Sequence, residues 1–316
     1  PQTPKPPFPY KSEEIFFTNK SAGNIKLAGT LTLPSGKTKP CAAIMITGSG
    51  AQNRNEKGFD HEPFLVWSDY LSRNGIAVLR FDDRGTAQSE GDFKSATSYD
   101  FSTDVEAAYE YLLTRDDIDI KKIGLIGHSE GGMIAPMVAA RNQNIAFIIS
   151  LAGPAVNIDE LMLKQIEELS FSEGKSKEEI RKTLQLNDDV FRTIEETEDL
   201  KQLEEKARKI LIENNYANNN QKVQDGFVNR IMSPWFRYFI RNRPSESWEK
   251  VGCPVLALNG TLDKQVNADM NLEAMRSAFN KGKNPDFTLS YLPGINHAMQ
   301  EAKTGYVSEY RMIEQT

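Results

Sequence analysis

A serine set between glycines at the end of an apolar run gives this sequence its first chemical possibility. IGLIGHSEGG, residues 123 to 132, supplies a strand-like run, a G-x-S-x-G turn around Ser129, and a helix beginning near Glu130, the context that a nucleophile elbow requires. A serine at the tip of such a turn needs neighbours without side chains, so that the helix packs close and Oγ projects outward. The competing reading is a structural turn serine. A serine hydroxyl is a weak nucleophile until a base takes its proton, so a histidine is required, with a carboxylate to orient it. Elbow sites order these members serine, acid, histidine, the acid following one late strand and the histidine the last. Here PVLALNGTLD ends at Asp263 and FTLSYLPGINH ends at His297. Of the three histidines, His128 lies inside the elbow and His61 before the first helix, which leaves His297 as the base. The rival acid is the Asp82–Asp83 pair of RFDDRGTAQSEG; it precedes the serine and is read as structural, one of its members bridging Arg84.

Acyl chemistry also needs donors for an oxyanion. The backbone N–H of Glu130, at the start of a helix whose N-terminal dipole favours negative charge, is one candidate. The other is the N–H of Ser49, or of its neighbour Gly50, in the loop after CAAIMITGSG. That glycine-rich loop lacks both the G-x-x-x-x-G-K-[ST] and the G-x-G-x-x-G patterns, so a nucleotide site carries little weight.

The elements that must position these residues follow from periodicity. Ile15–Thr18 and Lys26–Leu33 alternate apolar and polar residues around SAGN and read as an antiparallel hairpin. CAAIMITGSG, IAVLRFDDRG, KIGLIGHSEGG, IAFIISLAG and PVLALNGTLD are short continuous apolar runs ending in loops, as strands buried on both faces do. Between them, helices are expected over Pro63–Arg73, Phe101–Leu113, Gly131–Arg141 and Ala268–Phe279. Strands alternating with helices make an α/β fold, a mostly parallel sheet with helices on both faces. Residues 155–245 break the alternation, being rich in Glu, Lys and Leu, and read as an inserted helical cap. The expected organisation is a core of residues 1–154 and 246–316, led by an extended segment over 1–12, with the cap rising over the sheet edge where such folds bind ligands. In the cap, SPWFRYF offers Trp235, Phe236, Tyr238 and Phe239 either as an apolar substrate wall or as an anchor for the cap.

Composition narrows the rest. At 316 residues the chain can bury a sizeable core, and a net charge of −6 with no basic stripe argues against nucleic acid or an anionic membrane as partner. No apolar run approaches the roughly 20 residues that cross a bilayer. No metal site is expected, because the histidines and the two cysteines, Cys41 and Cys253, lack ligand spacing. The opening PQTPKPPFPY, without a start methionine, looks like a processed or trimmed N-terminus; export to the periplasm or beyond stays open beside a cytoplasmic location. Oligomeric state is not legible.

ITGSGAQNRNE, the WSDYLSRNGIAVLRFDDRG block, GHSEGG, CPVLALNGTLD and LPGINHAM together resemble the α/β-hydrolase superfamily. Within it they resemble bacterial serine hydrolases of the cinnamoyl/feruloyl-esterase, serine-aminopeptidase-like and S9-like kinds. The resemblance runs from about Lys26 to the C-terminus. It implies Ser129, Asp263 and His297 as a triad, Ser49 and Glu130 as oxyanion donors, a cap that shapes the pocket, and no cofactor. Two departures stand out: relatives carry glycine where this chain has Ala87, and they continue into a final apolar helix where it ends EYRMIEQT. The expected activity is hydrolysis of a small carboxylic ester through an acyl-enzyme. The alternatives are an aminopeptidase, with Glu130 or a cap carboxylate holding the substrate amine, and a ligand-binding protein on a hydrolase scaffold.

Overall fold

Each continuous apolar run becomes a strand with little or no solvent contact. In the computed structural model, which describes residues 2–36 and 38–316, the chain forms β1 (Tyr10–Asn19), β2 (Ile25–Pro34), β3 (Ala42–Ile46), α1 (Pro63–Arg73), β4 (Ala77–Phe81), α2 (Ser98–Leu113), β5 (Ile123–His128), α3 (Glu130–Arg141) and β6 (Ile148–Leu151). There follow α4 (Ile158–Ser172), α5 (Lys177–Glu196), α6 (Leu200–Glu213), α7 (Gln221–Met232), α8 (Pro234–Ile240), α9 (Pro244–Trp248), β7 (Val255–Gly260), α10 (Ala268–Gly282) and β8 (Phe287–Leu292). Pro1, the first residue of the lead, and Lys37 lie outside the described residues.

The strands make one eight-stranded sheet in the order β1-β2-β4-β3-β5-β6-β7-β8. The hairpin β1–β2 and its junction with β4 are antiparallel, and the remaining pairs are parallel. Strands β3, β4 and β5 are buried along their whole length. Such strands need cover on both faces, and β3 shows how it is provided. Ala42, Ile44 and Ile46 join one apolar cluster with Val105 of α2, Ile134 of α3 and Leu272 of α10, whereas Ala43 and Met45 join another with Phe64 and Trp67 of α1. Among the described residues no helix is long and apolar enough to cross a membrane.

Two boundaries differ from expectation for local reasons. Strand β1 starts inside the segment read as an extended lead, because Tyr10 pairs with Pro34 and its hydroxyl donates to Asp69 Oδ1 at 2.8 Å. Helix α2 starts three residues before Phe101. Thr97 and Asp100 form a capping box, the Thr97 N–H reaching Asp100 Oδ2 at 2.8 Å while the Asp100 N–H reaches the Thr97 hydroxyl.

Ala87 adopts φ 48°, the left-handed region that glycine enters without penalty. Ala87→Gly is therefore expected to stabilise the protein by about 0.5–1 kcal/mol, read as a raised midpoint in urea unfolding with an unchanged slope.

Helices α4 to α9 all lie between β6 and β7. Leu161, Phe191, Ile194, Leu203, Ile231 and Phe236 form a cluster of their own, seated on Met133 of α3 and on Val266 of the loop after β7. Trp248 of α9 belongs instead to the main core, its ring edge against Phe279 and its Nε1–H on the carbonyl of Pro154. Beyond β8 the chain makes a 3₁₀ turn, Val307–Met312, and its last residues bond back: the Gln315 carbonyl accepts from Gln300 at 2.8 Å, and Thr316 Oγ1 lies 2.9 Å from His61 Nδ1.

Candidate active site

The turn after β5 is built around two glycines that no other residue could replace. A Cβ on Gly127 would stand 2.1 Å from the carbonyl oxygen of Gly131, and one on Gly131 would stand 2.1 Å from that of Ile46. Helix α3 thus presses directly on the ends of β5 and β3. Ser129 between them is driven to φ 52°, ψ −120°, a conformation that costs on the order of 1–3 kcal/mol and persists because the surroundings impose it. Its N–H donates to the Leu151 carbonyl at 2.9 Å, and its carbonyl accepts from Gly132 at 2.8 Å, which leaves Oγ facing outward from the sheet edge.

Three loops converge there. Ser129 Oγ lies 3.0 Å from His297 Nε2, and His297 Nδ1 lies 2.8 Å from Asp263 Oδ2. Asp263 is held by the backbone: its Oδ1 accepts from the Gln265 and Val266 N–H groups, each at 2.8 Å, and its Oδ2 also accepts from Asn259 Nδ2 at 3.1 Å. The three residues picked out by chain order therefore sit in one hydrogen-bonded line. The expected rivals do something else. Asp82 pairs with Arg54 through two bonds of 2.7 and 3.1 Å, and Asp83 accepts from the Thr47 hydroxyl and the Gln52 N–H. Neither bridges Arg84, as the sequence reading expected; Arg84 reaches instead to Asp104 of α2, at 2.7 and 2.9 Å.

Ser129 and His297 open on a cavity of about 360 Å³ that Ser49 and Glu130 also line. As the first residue of α3, Glu130 has an N–H that its own helix cannot satisfy. Of the aromatic residues in α8, Trp235 and Phe239 line this cavity with their rings stacked 4.8 Å apart. Phe236 and Tyr238 do not, which corrects the pocket reading for two of the four aromatic residues offered by the sequence. Phe236 is buried against Phe191 under the Arg230 guanidinium, and Tyr238 faces a separate surface cleft with Arg237 and Arg241. The helical period separates them: positions 235 and 239 share a face, and 236 and 238 fall to either side of it.

Sequence reading missed two side-chain networks beside the serine. The Glu130 carboxylate, read from the sequence as a holder of the substrate amine in the aminopeptidase alternative, is buried and accepts from the Ser98 hydroxyl at 2.6 Å, from Trp235 Nε1 at 2.9 Å and from the Ser49 side chain. His128, set aside as an elbow residue, lies with Nδ1 2.9 Å from Glu56 Oε1 and Nε2 2.9 Å from the His297 carbonyl. Glu56 follows a turn of the β3–α1 loop, and nothing local in the sequence links it to residue 128.

Burial sets the protonation of this region. It lifts the Asp83 carboxyl to about 8 against the pull of Gln52 and Thr47, and it raises Glu130 against that of Ser98 and Trp235. For His128 burial works against the charge, but the charge and hydrogen bond of Glu56 overcome it and lift the imidazole to about 9. All three groups bind protons more tightly folded than unfolded. What His128 contributes is fully present below its ordinary value of 6.5 and is lost as pH rises through about 9; the Asp83 carboxyl erodes stability from about 3.8 up to about 8. The melting temperature is therefore expected to fall by several degrees between pH 6.5 and 9 at constant ionic strength. Calorimetry that found it level or rising over that window would contradict these assignments.

A family model described as serine aminopeptidase, S33, matches residues 64–302. Esterase EstD of Thermotoga maritima is 27% identical over 143 residues, a match spanning 45% of this chain and 34% of EstD. Among solved structures, the α/β-hydrolase GrgF from Penicillium sp. sh18 superposes with a TM-score of 0.57 at 17% identity over 91% of each chain. Est1E from Butyrivibrio proteoclasticus, with ferulic acid bound, gives 0.54 at 19% identity over 90% of this chain and 91% of its own. At these identities the two structures establish a shared fold.

Proposed function

The chain belongs to the serine aminopeptidase, S33, family of α/β-hydrolases, and on that premise we propose that it is a serine hydrolase of small carboxylic esters. The observation that carries the reading is the unbroken line Ser129–His297–Asp263 on the wall of a cavity. In this reading His297 Nε2 takes the Ser129 proton as Oγ attacks the ester carbonyl. Asp263 holds the Nδ1–H tautomer and stabilises the imidazolium. The N–H groups of Ser49 and Glu130 take the oxyanion, aided by the dipole of α3. The imidazolium returns its proton to the departing alcohol, and water, activated by the same histidine, releases the acid and restores the serine. Residues 155–245 act as a cap over the core of residues 1–154 and 246–316. Its Leu161, Met162, Trp235 and Phe239 supply an apolar wall, and a volume of about 360 Å³ suits a small ligand.

The peptidase alternative needs a carboxylate for the substrate amine. The acidic residues lining the cavity are Glu56 and Glu130. Glu130 is engaged by Ser98, Trp235 and Ser49; Glu56 Oε1 is engaged by Gly48 and His128, and its Oε2 is shut off from solvent. That favours the ester, and EstD, an esterase by name, agrees with it. The reading is tested by intact-mass spectrometry after fluorophosphonate treatment, then by rates on p-nitrophenyl esters and aminoacyl p-nitroanilides. One adduct per chain with turnover of the esters is expected. No adduct on folded protein would sink the reading, and faster turnover of the anilides would move it to the peptidase.

A further inference from the structure

The Glu56–His128 pair plays no part in the chemistry above, yet it joins three of the loops that the chemistry uses. Glu56 Oε1 accepts the Gly48 N–H at 2.6 Å, one residue before the oxyanion donor Ser49. The same oxygen is 2.9 Å from His128 Nδ1, and His128 itself precedes the nucleophile. His128 Nε2 is 2.9 Å from the main-chain carbonyl of His297, the base. One buried pair thus links the loops that follow β3, β5 and β8.

The geometry also fixes where the protons are. A carbonyl oxygen cannot donate, and a carboxylate already accepting an amide N–H is best served by a second donor, so both His128 ring nitrogens carry hydrogen. A neutral ring would set one nitrogen lone pair against an oxygen lone pair. Among the described residues Glu56 Oε2 is buried with no hydrogen-bond partner, so the charge of this carboxylate is answered chiefly by the ring beside it. The ring centroids of His128 and His297 are 5.0 Å apart.

We propose that Glu56 and the His128 imidazolium form a positioning pair that holds the oxyanion loop and the catalytic histidine in register with Ser129. The proposal rests on the serine-hydrolase reading. The charged and titratable groups facing His128 are Glu56 from the β3–α1 loop, Asp263 from the loop after β7 and His297 from the loop after β8; α1 contributes the ring of Trp67, near-perpendicular to it. The imidazolium state agrees with the lift of His128 to about 9 by Glu56.

The test compares wild type, Glu56→Gln, His128→Gln and the double variant on a p-nitrophenyl ester and in fluorophosphonate labelling. Glutamine at 56 keeps an oxygen for the Gly48 N–H but removes the charge, so His128 becomes neutral at pH 7. A loss of about 10- to 100-fold in kcat is expected with KM within about threefold, as for loosened catalytic geometry. The double variant should lose no more than the worse single one, since the pair acts as a unit. Unchanged kcat in folded Glu56→Gln would overturn the proposal. Should the variants fail to fold, ¹⁵N-histidine NMR of the wild type decides: two protonated ring nitrogens on His128 at pH 7 support the pair, and a single neutral tautomer overturns it. A wild type that takes up no fluorophosphonate would defeat the hydrolase reading itself, whereas a labelled wild type beside an indifferent Glu56→Gln defeats only the pair.

Discussion

Ser129→Ala is expected to lower kcat on an activated ester by about 10⁵- to 10⁶-fold and to abolish the fluorophosphonate adduct, while the melting temperature stays close to that of wild type. The size of the loss follows from the proposed role: without Oγ there is no acyl-enzyme, and the cavity and the proposed oxyanion donors alone leave only a slow attack by water. The small structural cost follows from the geometry. Alanine retains the Cβ that packs near Gly48, and the backbone bonds to Leu151 and Gly132 do not involve the side chain. What disappears is one partly buried hydrogen bond to His297, worth about 1 kcal/mol. Burst kinetics and circular dichroism on the same preparation check both halves. A folded Ser129→Ala that still forms the adduct would place the nucleophile elsewhere.

Residues at strand ends were readable because the strands themselves were. Continuous apolar runs such as Ala42–Ile46 and Ile123–His128 have to be covered on both faces, and that requirement places the chain ends of β5, β7 and β8, with Ser129, Asp263 and His297, at one edge. Partners brought together by folding were not readable. Glu56 meets His128 across 72 residues and Trp235 meets Glu130 across 105, and neither pair has a local spacing that could announce it. The pairing of Arg54 with Asp82, and of Arg84 with Asp104, escaped for the same reason, since an arginine two residues from an aspartate looked like its partner. The α8 aromatics are a different case. Their helical period was present in SPWFRYF and separates Trp235 and Phe239 from Phe236 and Tyr238 once that segment is taken as a helix. Ala87 shows how far a family pattern reaches, because the left-handed backbone that glycine would serve is kept with alanine in place.

Asp263→Asn is expected to cost on the order of 10⁴ in turnover without unfolding the protein, and the surroundings of Asp263 say why the amide cannot rescue itself. The Gln265 and Val266 N–H groups both donate to Oδ1, so an asparagine amide must keep its oxygen on that side. Its Nδ2 then faces His297 Nδ1, where Asp263 Oδ2 stood. An NH₂ group can only donate there, which forces Nδ1 to become the acceptor and puts the ring proton on Nε2. With Nε2–H pointing at Ser129 Oγ, the base has no lone pair to receive the serine proton, and the imidazolium that forms later has lost its carboxylate. The amide nitrogen also confronts Asn259 Nδ2, another donor, a local mismatch that adds a modest loss of stability. Asp83→Asn is the control, because Asp83 bonds to Thr47 and Gln52 and not to His297. Steady-state kcat for the two variants, measured on folded protein, separates the assignments: near-normal turnover in Asp263→Asn beside a collapse in Asp83→Asn would show that the acid had been placed on the wrong loop.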